Sequence, residues 1–550
     1  MIKRILTVLF VLLLPLSNVA QAKDTLVIGV TQFPSTFHPG IDSMVAKYYV
    51  LNLTMRPFTA YDANWNLICM LCTELPTIEN GGAVETDLGE GKVGVAVTYT
   101  IQPEARWGDG VPITTKDVEY TIEIGKHPQS GILGAEFYRR VLSVDVVDDK
   151  TFTLNMDRLD YKYNELDLYL VPEHIDRPAF AEPEEYRHRN SYDTDTYNLG
   201  LYFGPYRIVN VEPGSHVEYA RNETWWGRQP YFDRIVIRTI ENTAALEANL
   251  LSNSIDHMSG TLGITLDQAL TMEKRHGSTF KFHYQPGLIY EHIDLNQDNP
   301  ILADLRVRQA LIHSIDRHAI SEQLFEGKQP VANSFVSPLD SIYDTTIPKY
   351  SYDPELAREL LDEAGWSKIV DGVRHNESGE PLTLEIGTTA GSRIRETVQQ
   401  VLQAQWREVG IEVKIRNEPA RVYFGETVTK RQFSGMAMYA WISDPESSPR
   451  GTLHSTEIPT AENNWQGSNY PGYRSEQMDA LIDKVEVTLD KAERQELWSK
   501  IQHLYATDLP IIPLYYRSSP FVFPKWLKGI NPTGNTSTTT MWIEDWHVAE

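Results

Sequence analysis

Hydrophobic and polar positions alternate with a period of two over residues 94–101 and 151–156, which predicts strands with one face buried. Residues 24–31 hold an unbroken apolar core, the pattern of a strand covered on both faces of a mixed sheet. Residues 211–220, after Gly204-Pro205-Tyr206, read as one arm of a hairpin. Apolar positions recur at helical spacing over residues 307–325, 354–364, 393–409 and 491–506. Between residues 106 and 120 the chain predicts a strand, a tight turn at Gly108-Asp109-Gly110, and a helix opened by a capping box of Thr114 and Asp117. Strands and helices alternate without strict βαβ regularity, so the expectation is a mixed α/β chain that is more helical in its second half.

The amino terminus carries a different pattern. Lys3 and Arg4 precede an apolar run over residues 5–16, and Ala20-Gln21-Ala22 supplies the small-x-small site at which a signal peptidase cuts. The run is shorter than the roughly 20 residues that span a bilayer, which disfavours an uncleaved anchor. The expectation is a mature protein that begins near Lys23 and works in the periplasm as a soluble monomer without membrane insertion. No cysteine follows the run, so no lipid anchor is expected.

Removing 22 of 550 residues leaves 528, enough for about three domains. It also takes the formal charge from −25 to −27. Such a balance argues against nucleic acid, which needs clustered Lys and Arg, and against anionic lipid. Cys69 and Cys72, the only cysteines, stand in a C-x-x-C spacing. In an oxidising compartment they can close a small disulfide; buried free thiols and redox or metal chemistry are the other readings. Zinc would need two more ligands, and no nearby histidine pair supplies them. His313 and His318, five apart, do not share a face as an i, i+4 pair does. No nucleophile elbow, His-Glu-x-x-His or glycine-rich phosphate loop is present, so neither an enzyme nor a cofactor is expected.

Six ordered segments carry a resemblance. They are residues 106–120; Gly204-Pro205-Tyr206 with Asn222-Glu223-Thr224-Trp225-Trp226-Gly227; residues 250–256, with Ser252 and Asn253 where a glycine is usual; Leu295-Asn296 followed by residues 304–317; Asp353-Pro354-Glu355 with Ala364-Gly365-Trp366; and residues 508–513. Together they resemble the oligopeptide- and dipeptide-binding proteins of bacterial ABC importers, solute-binding protein family 5. The resemblance spans nearly the whole mature chain.

That resemblance implies an α/β, mixed-sheet, two-lobe clamshell of the three-domain periplasmic binding type. Its first domain would comprise residues 23–58, 198–292 and 508–550, the second residues 59–197, and the closing lobe residues 293–507, with hinge crossings near His292 and Asp508. It implies a peptide ligand and a membrane permease as partners. In the run Trp441-Ile442-Ser443-Asp444, Asp444 occupies the place of the aspartate that anchors a ligand's α-ammonium, and Trp441 that of a pocket aromatic. An aspartate before proline also ends strands as a turn residue, and a tryptophan also fills cores. On the other lobe, Phe33, Pro34 and Ser35 match the loop whose backbone pairs with peptide, although Pro34 lacks an N–H. Residues 388–392 lack the arginine of dipeptide-specific members; Arg393 and Arg395 are close by. Relatives of this fold also bind oligosaccharides, metal chelates and haem, and a secreted hydrolase is a more distant alternative.

Overall fold

The computed structural model describes residues 23–41, 44–463 and 465–549, without the side chains of Ala135 and Arg421. The leader read over residues 1–22 lies outside them. A ten-stranded mixed sheet runs through the molecule, in the order Glu412–Ile415, Thr383–Gly387, Met436–Ile442, Phe280–Leu295, Ile511–Pro524, His257–Met258, Thr25–Val30, Arg234–Thr239, His216–Arg221 and Tyr206–Glu212. Its two flanks each contain parallel strands: Thr25–Val30 lies parallel to Arg234–Thr239, and Thr383–Gly387 parallel to Glu412–Ile415 and Met436–Ile442. The centre is an antiparallel pair of long strands, Phe280–Leu295 and Ile511–Pro524, whose pairing skips between Pro286 and Tyr290. A separate antiparallel sheet of Ala83–Gly89, Lys92–Thr100, Thr151–Met156 and Val141–Val146 packs beside the first flank.

Two apolar cores divide along this skip. Leu26, Ile28, Val97, Trp107 and Phe152 belong to one, joining the first flank to the four-stranded sheet. Ile293, Leu384, Leu402 and Trp406 belong to the other, where the helix Arg393–Glu408 covers the second flank. A third cluster gathers around Trp498 of the helix Lys491–Asp508 and includes Tyr161.

The conspicuous sequence segments turn out to hold these layers together. Thr114 and Asp117 form the expected capping box at the helix Thr115–Lys126. The buried Asp117 carboxylate also accepts from the Glu173 amide at 2.9 Å and from Trp107 Nε1 at 3.3 Å. The expected strand before it shrinks to one bridge, Arg106 to Pro112. Gly204 lies so close to Thr54 and Met55 that a Cβ would meet their backbone at 2.5 and 2.7 Å, which only glycine tolerates. Asn253 has φ of +59°, a left-handed position that asparagine fills where glycine is usual. Arg308 and Arg317 are both buried; Arg308 donates to Asp508 O at 2.8 Å and Arg317 to Pro513 O at 2.9 Å. Hydrogen bonds from charged donors are worth about 1.5–3 kcal/mol each, so the two arginines tie the closing strand to the helices.

Two element readings need correction. Residues 211–220 are not one hairpin arm: Pro213-Gly214 makes the turn itself, with Gly214 at φ +73° and the Ser215 amide on Glu212 O at 2.9 Å. The apolar period over residues 307–325 spans two helices, Leu305–His313 and Arg317–Phe325, because the Asp316 side chain caps a new start by accepting from the Ala319 amide.

Candidate ligand cleft

Parallel strands aim their carboxyl ends and the loops that follow toward a common edge, which is where α/β sheets bind ligands. On one flank Thr25–Val30 leads into the loop of Phe33, Pro34 and Ser35; on the other Met436–Ile442 leads into Ser443 and Asp444. The first loop is held rigidly. Lys47, wholly buried, donates to Pro39 O at 2.7 Å and Ile41 O at 3.0 Å; the Thr36 hydroxyl and Phe37 amide bind Asp193. Pro34 is buried, Phe33 is half-buried with its ring edge-on to Phe37, and Ser35 is exposed.

Trp441 is half-buried and stacks on Tyr470, ring centres 5.9 Å apart. It is therefore both wall and core. Ile442 is 68% exposed, a high value for a large apolar side chain at a strand end. Phe424 and Ile394 are also exposed apolar groups, and Phe424 packs edge-on to Tyr439. Ser443 donates its amide to Leu288 O, beside the skip in the central pair.

Asp444 opens a turn closed by the Ser447 amide on its carbonyl at 3.2 Å. Its side chain is exposed and accepts no hydrogen bond among the described residues. Turn formation thus uses only the backbone of Asp444 and leaves its carboxylate available.

Arg395, one of the two arginines near the position that dipeptide-specific members use, is spoken for. It is buried against Glu291, which has no exposed surface, and donates to Thr389 Oγ1 at 3.0 Å. Arg517 completes the group, with Nε 2.8 Å from Glu291 Oε2. Breaking such a buried pair from one side costs about 3–5 kcal/mol, so Arg395 cannot turn to a ligand cheaply.

The sequence reading missed the third wall. Residues 158–169 leave the four-stranded sheet and line a cavity beside it, bringing Tyr161, Glu165 and Asp167 to its wall. The Tyr161 hydroxyl donates to Glu446 O, and its amide to Glu486 O at 3.2 Å, so this segment touches the Asp444 side directly. Asp167 reaches solvent yet stands crowded by protein, and that crowding, with the negative charges of Glu165 and Asp444, raises its pKa to about 7. The dense aromatic and acidic spacing of residues 160–169 was visible in the sequence, but nothing local says which cleft it borders. Cys69 and Cys72 are joined as a disulfide with Cα atoms 5.1 Å apart. No group of three or more His, Cys, Asp or Glu among the described residues could hold a metal ion, and none of their helices is long and apolar enough to cross a membrane.

A mixed sheet continuous through two flanks, with a cleft at the carboxyl ends of its parallel strands, defines a periplasmic-binding-protein fold. Residues 91–460 match the model of the bacterial extracellular solute-binding proteins, family 5 Middle, and the chain belongs to that family. It is 24% identical over 517 residues to the oligopeptide-binding protein AppA of Bacillus subtilis (strain 168), covering 92% of this chain and 89% of that one. Among solved structures it is similar to the oligopeptide-binding protein of Thermus thermophilus complexed with a pentapeptide, at 30% identity and TM-score 0.69, covering 96% of each chain. It shares its fold with NikZ of Campylobacter jejuni in complex with Ni(L-His), at 23% identity and TM-score 0.69, over 96% of this chain and 99% of that one.

Proposed function

We propose that this solute-binding protein captures peptides in the cleft and delivers them to a membrane ABC permease, acting in the periplasm without a catalytic step. The observation that carries the reading is the Asp444 carboxylate at the end of Met436–Ile442, exposed and without a hydrogen-bond partner among the described residues. A carboxylate left free by its turn accepts a charge-assisted hydrogen bond from a cation, and a peptide's α-ammonium is one. The oligopeptide names of the relatives point the same way. We take residues 23–58, 198–292 and 508–550 as the first domain, residues 59–197 as the second and residues 293–507 as the closing lobe, flexing at the skip between Pro286 and Tyr290.

Mass spectrometry of solute released by unfolding the purified native protein identifies the ligand class. Calorimetry then tests the anchor: Asp444→Ala should lose about 2–5 kcal/mol with free peptides, roughly 30- to 5,000-fold in affinity, and N-acetylated peptides should bind wild type equally poorly. Equal affinities across all four pairings would remove the ammonium anchor from Asp444.

A further inference from the structure

The turn that follows Asp444 is held by a second, buried carboxylate. Pro445 takes the second position of the turn and Glu446 the third, and Glu446 has φ of +51°. Proline followed by a left-handed residue is the pattern of a type II turn, whose third position is ordinarily glycine because a side chain there is strained. The glutamate is kept in that form from three sides. Its amide donates to Asp340 Oδ2 at 2.8 Å, its Oε1 accepts from the Ser341 hydroxyl at 2.9 Å, and its carbonyl accepts from the Tyr161 hydroxyl. Asp340 is only 7% exposed and is itself fixed: Oδ1 accepts from the Ile342 amide at 3.2 Å, its amide donates to Ser337 O at 2.9 Å, and its carbonyl accepts from the Tyr343 amide at 3.0 Å. The segment that carries it is fastened to the closing strand Ile511–Pro524, where the Tyr516 hydroxyl donates to Val336 O at 2.6 Å, and Ile342 packs in the cluster of Trp498. Asp340 makes no ion pair among the described residues, so its buried charge is met by two backbone amides alone.

We propose that Asp340 is the positioning residue of the ligand anchor: by fixing the Glu446 amide it holds the turn in one strained form, so that the free carboxylate of Asp444 is presented to a ligand's ammonium from a rigid base. The inference rests on the reading of Asp444 as that anchor. A buried carboxylate without a cation contributes little to stability that an apolar residue would not, which leaves its geometric effect as its use. Released from Asp340, the peptide plane between Pro445 and Glu446 gains a competing form, because a glutamate is easier in the right-handed region that a type I turn uses at the same position. Asp444 would then stand on a turn that must be ordered when ligand binds, and that ordering is subtracted from affinity. The loss falls on ligands that use Asp444 and on no others.

Calorimetry on the full-length mature protein with Ala-Ala-Ala-Ala and its N-acetylated form is the test. Asp340→Ala should weaken the free peptide roughly tenfold and leave the acetylated one unchanged, and in an Asp444→Ala background it should cost nothing further. Adding Glu446→Gly to Asp340→Ala should recover roughly threefold of the loss, because Pro-Gly takes this turn unaided. Asp340→Asn keeps the volume, and its single oxygen serves only one of the two amides; it should fall between, and it carries the test if Asp340→Ala does not fold. Hydrogen exchange in the unliganded protein should show the Glu446 amide exchanging faster in either variant. An Asp340 effect that is absent, strikes both peptides alike, or adds in full to that of Asp444→Ala makes Asp340 structural only and overturns the proposal, while the Asp444 anchor stands. If wild type binds neither peptide, or binds both alike, it is the anchor reading that falls, and the positioning role goes with it.

Discussion

Removal of Tyr161 should cost the protein its grip on ligand without unfolding it. Tyr161 belongs to the segment that leaves the four-stranded sheet, yet its side chain is only 9% exposed and packs in the cluster of Leu453, Ile482 and Trp498. Its ring lies edge-on to Trp498 at 6.4 Å and under the Arg494 guanidinium at 5.2 Å, and its hydroxyl donates to Glu446 O. Truncating a buried aromatic to alanine costs about 3–5 kcal/mol. Where a contact exists only in the closed form, its loss is subtracted from closure and hence from apparent affinity. Tyr161→Ala should therefore weaken ligand binding by about 3 kcal/mol, or roughly 100-fold. Tyr161→Phe keeps the ring and deletes one hydrogen bond of about 1 kcal/mol, so it should weaken binding roughly fivefold. Calorimetry with the solute found in the native protein measures both, and small-angle scattering of the liganded forms reports whether the lobes still close. An affinity within twofold of wild type for Tyr161→Ala, with unchanged circular dichroism, would show that the contact persists in the open form and refute the reasoning.

Intact mass of the exported protein should begin at Lys23 and fall short of the reduced mass by two hydrogens, with no acyl addition; a retained leader or two free thiols would contradict it. Replacing Cys69 by serine should lower stability by about 2 kcal/mol, the loop-closure value for a four-residue ring, with ligand affinity unchanged. Stability should also depend on pH from both sides. Burial pushes His38 and His257 down to about 4, so the unfolded chain binds more protons between about pH 6.5 and 4, and stability falls as pH drops through that window. Asp167 acts in the opposite sense: its pKa, raised from 3.8 to about 7, makes the folded state the better proton binder, so stability falls as pH rises from about 4 to 7. Thermal melts of Asp167→Asn should match wild type at pH 4 and lie above it at pH 8; equal melts at pH 8 would sink this assignment.

The fold class and the order of segments were legible because they depend on local physics. Alternation over residues 151–156 marks a half-buried strand wherever it sits, and Thr114 with Asp117 caps a helix by contacts three residues apart. Where two local signals competed, the sequence reading blurred. Pro213-Gly214 was absorbed into a strand it interrupts, and the Asp316 cap was hidden inside a continuous apolar period. The run ending in Asp444 could be located, but whether its carboxylate was consumed by the turn could not, since that depends on which groups come within hydrogen-bonding reach. Arg395 shows the same limit from the other side: close in sequence to where dipeptide-specific members carry an arginine, it is neutralised by Glu291, 104 residues away. The cavity that Tyr161 and Asp167 line lay beyond the sequence, because it is made by segments hundreds of residues apart whose approach is set by the packing of whole layers. Periodicity and capping act over one or two turns of chain and so determined the elements; charge pairing and cavity shape act through space and were decided only when the two flanks of the sheet came together.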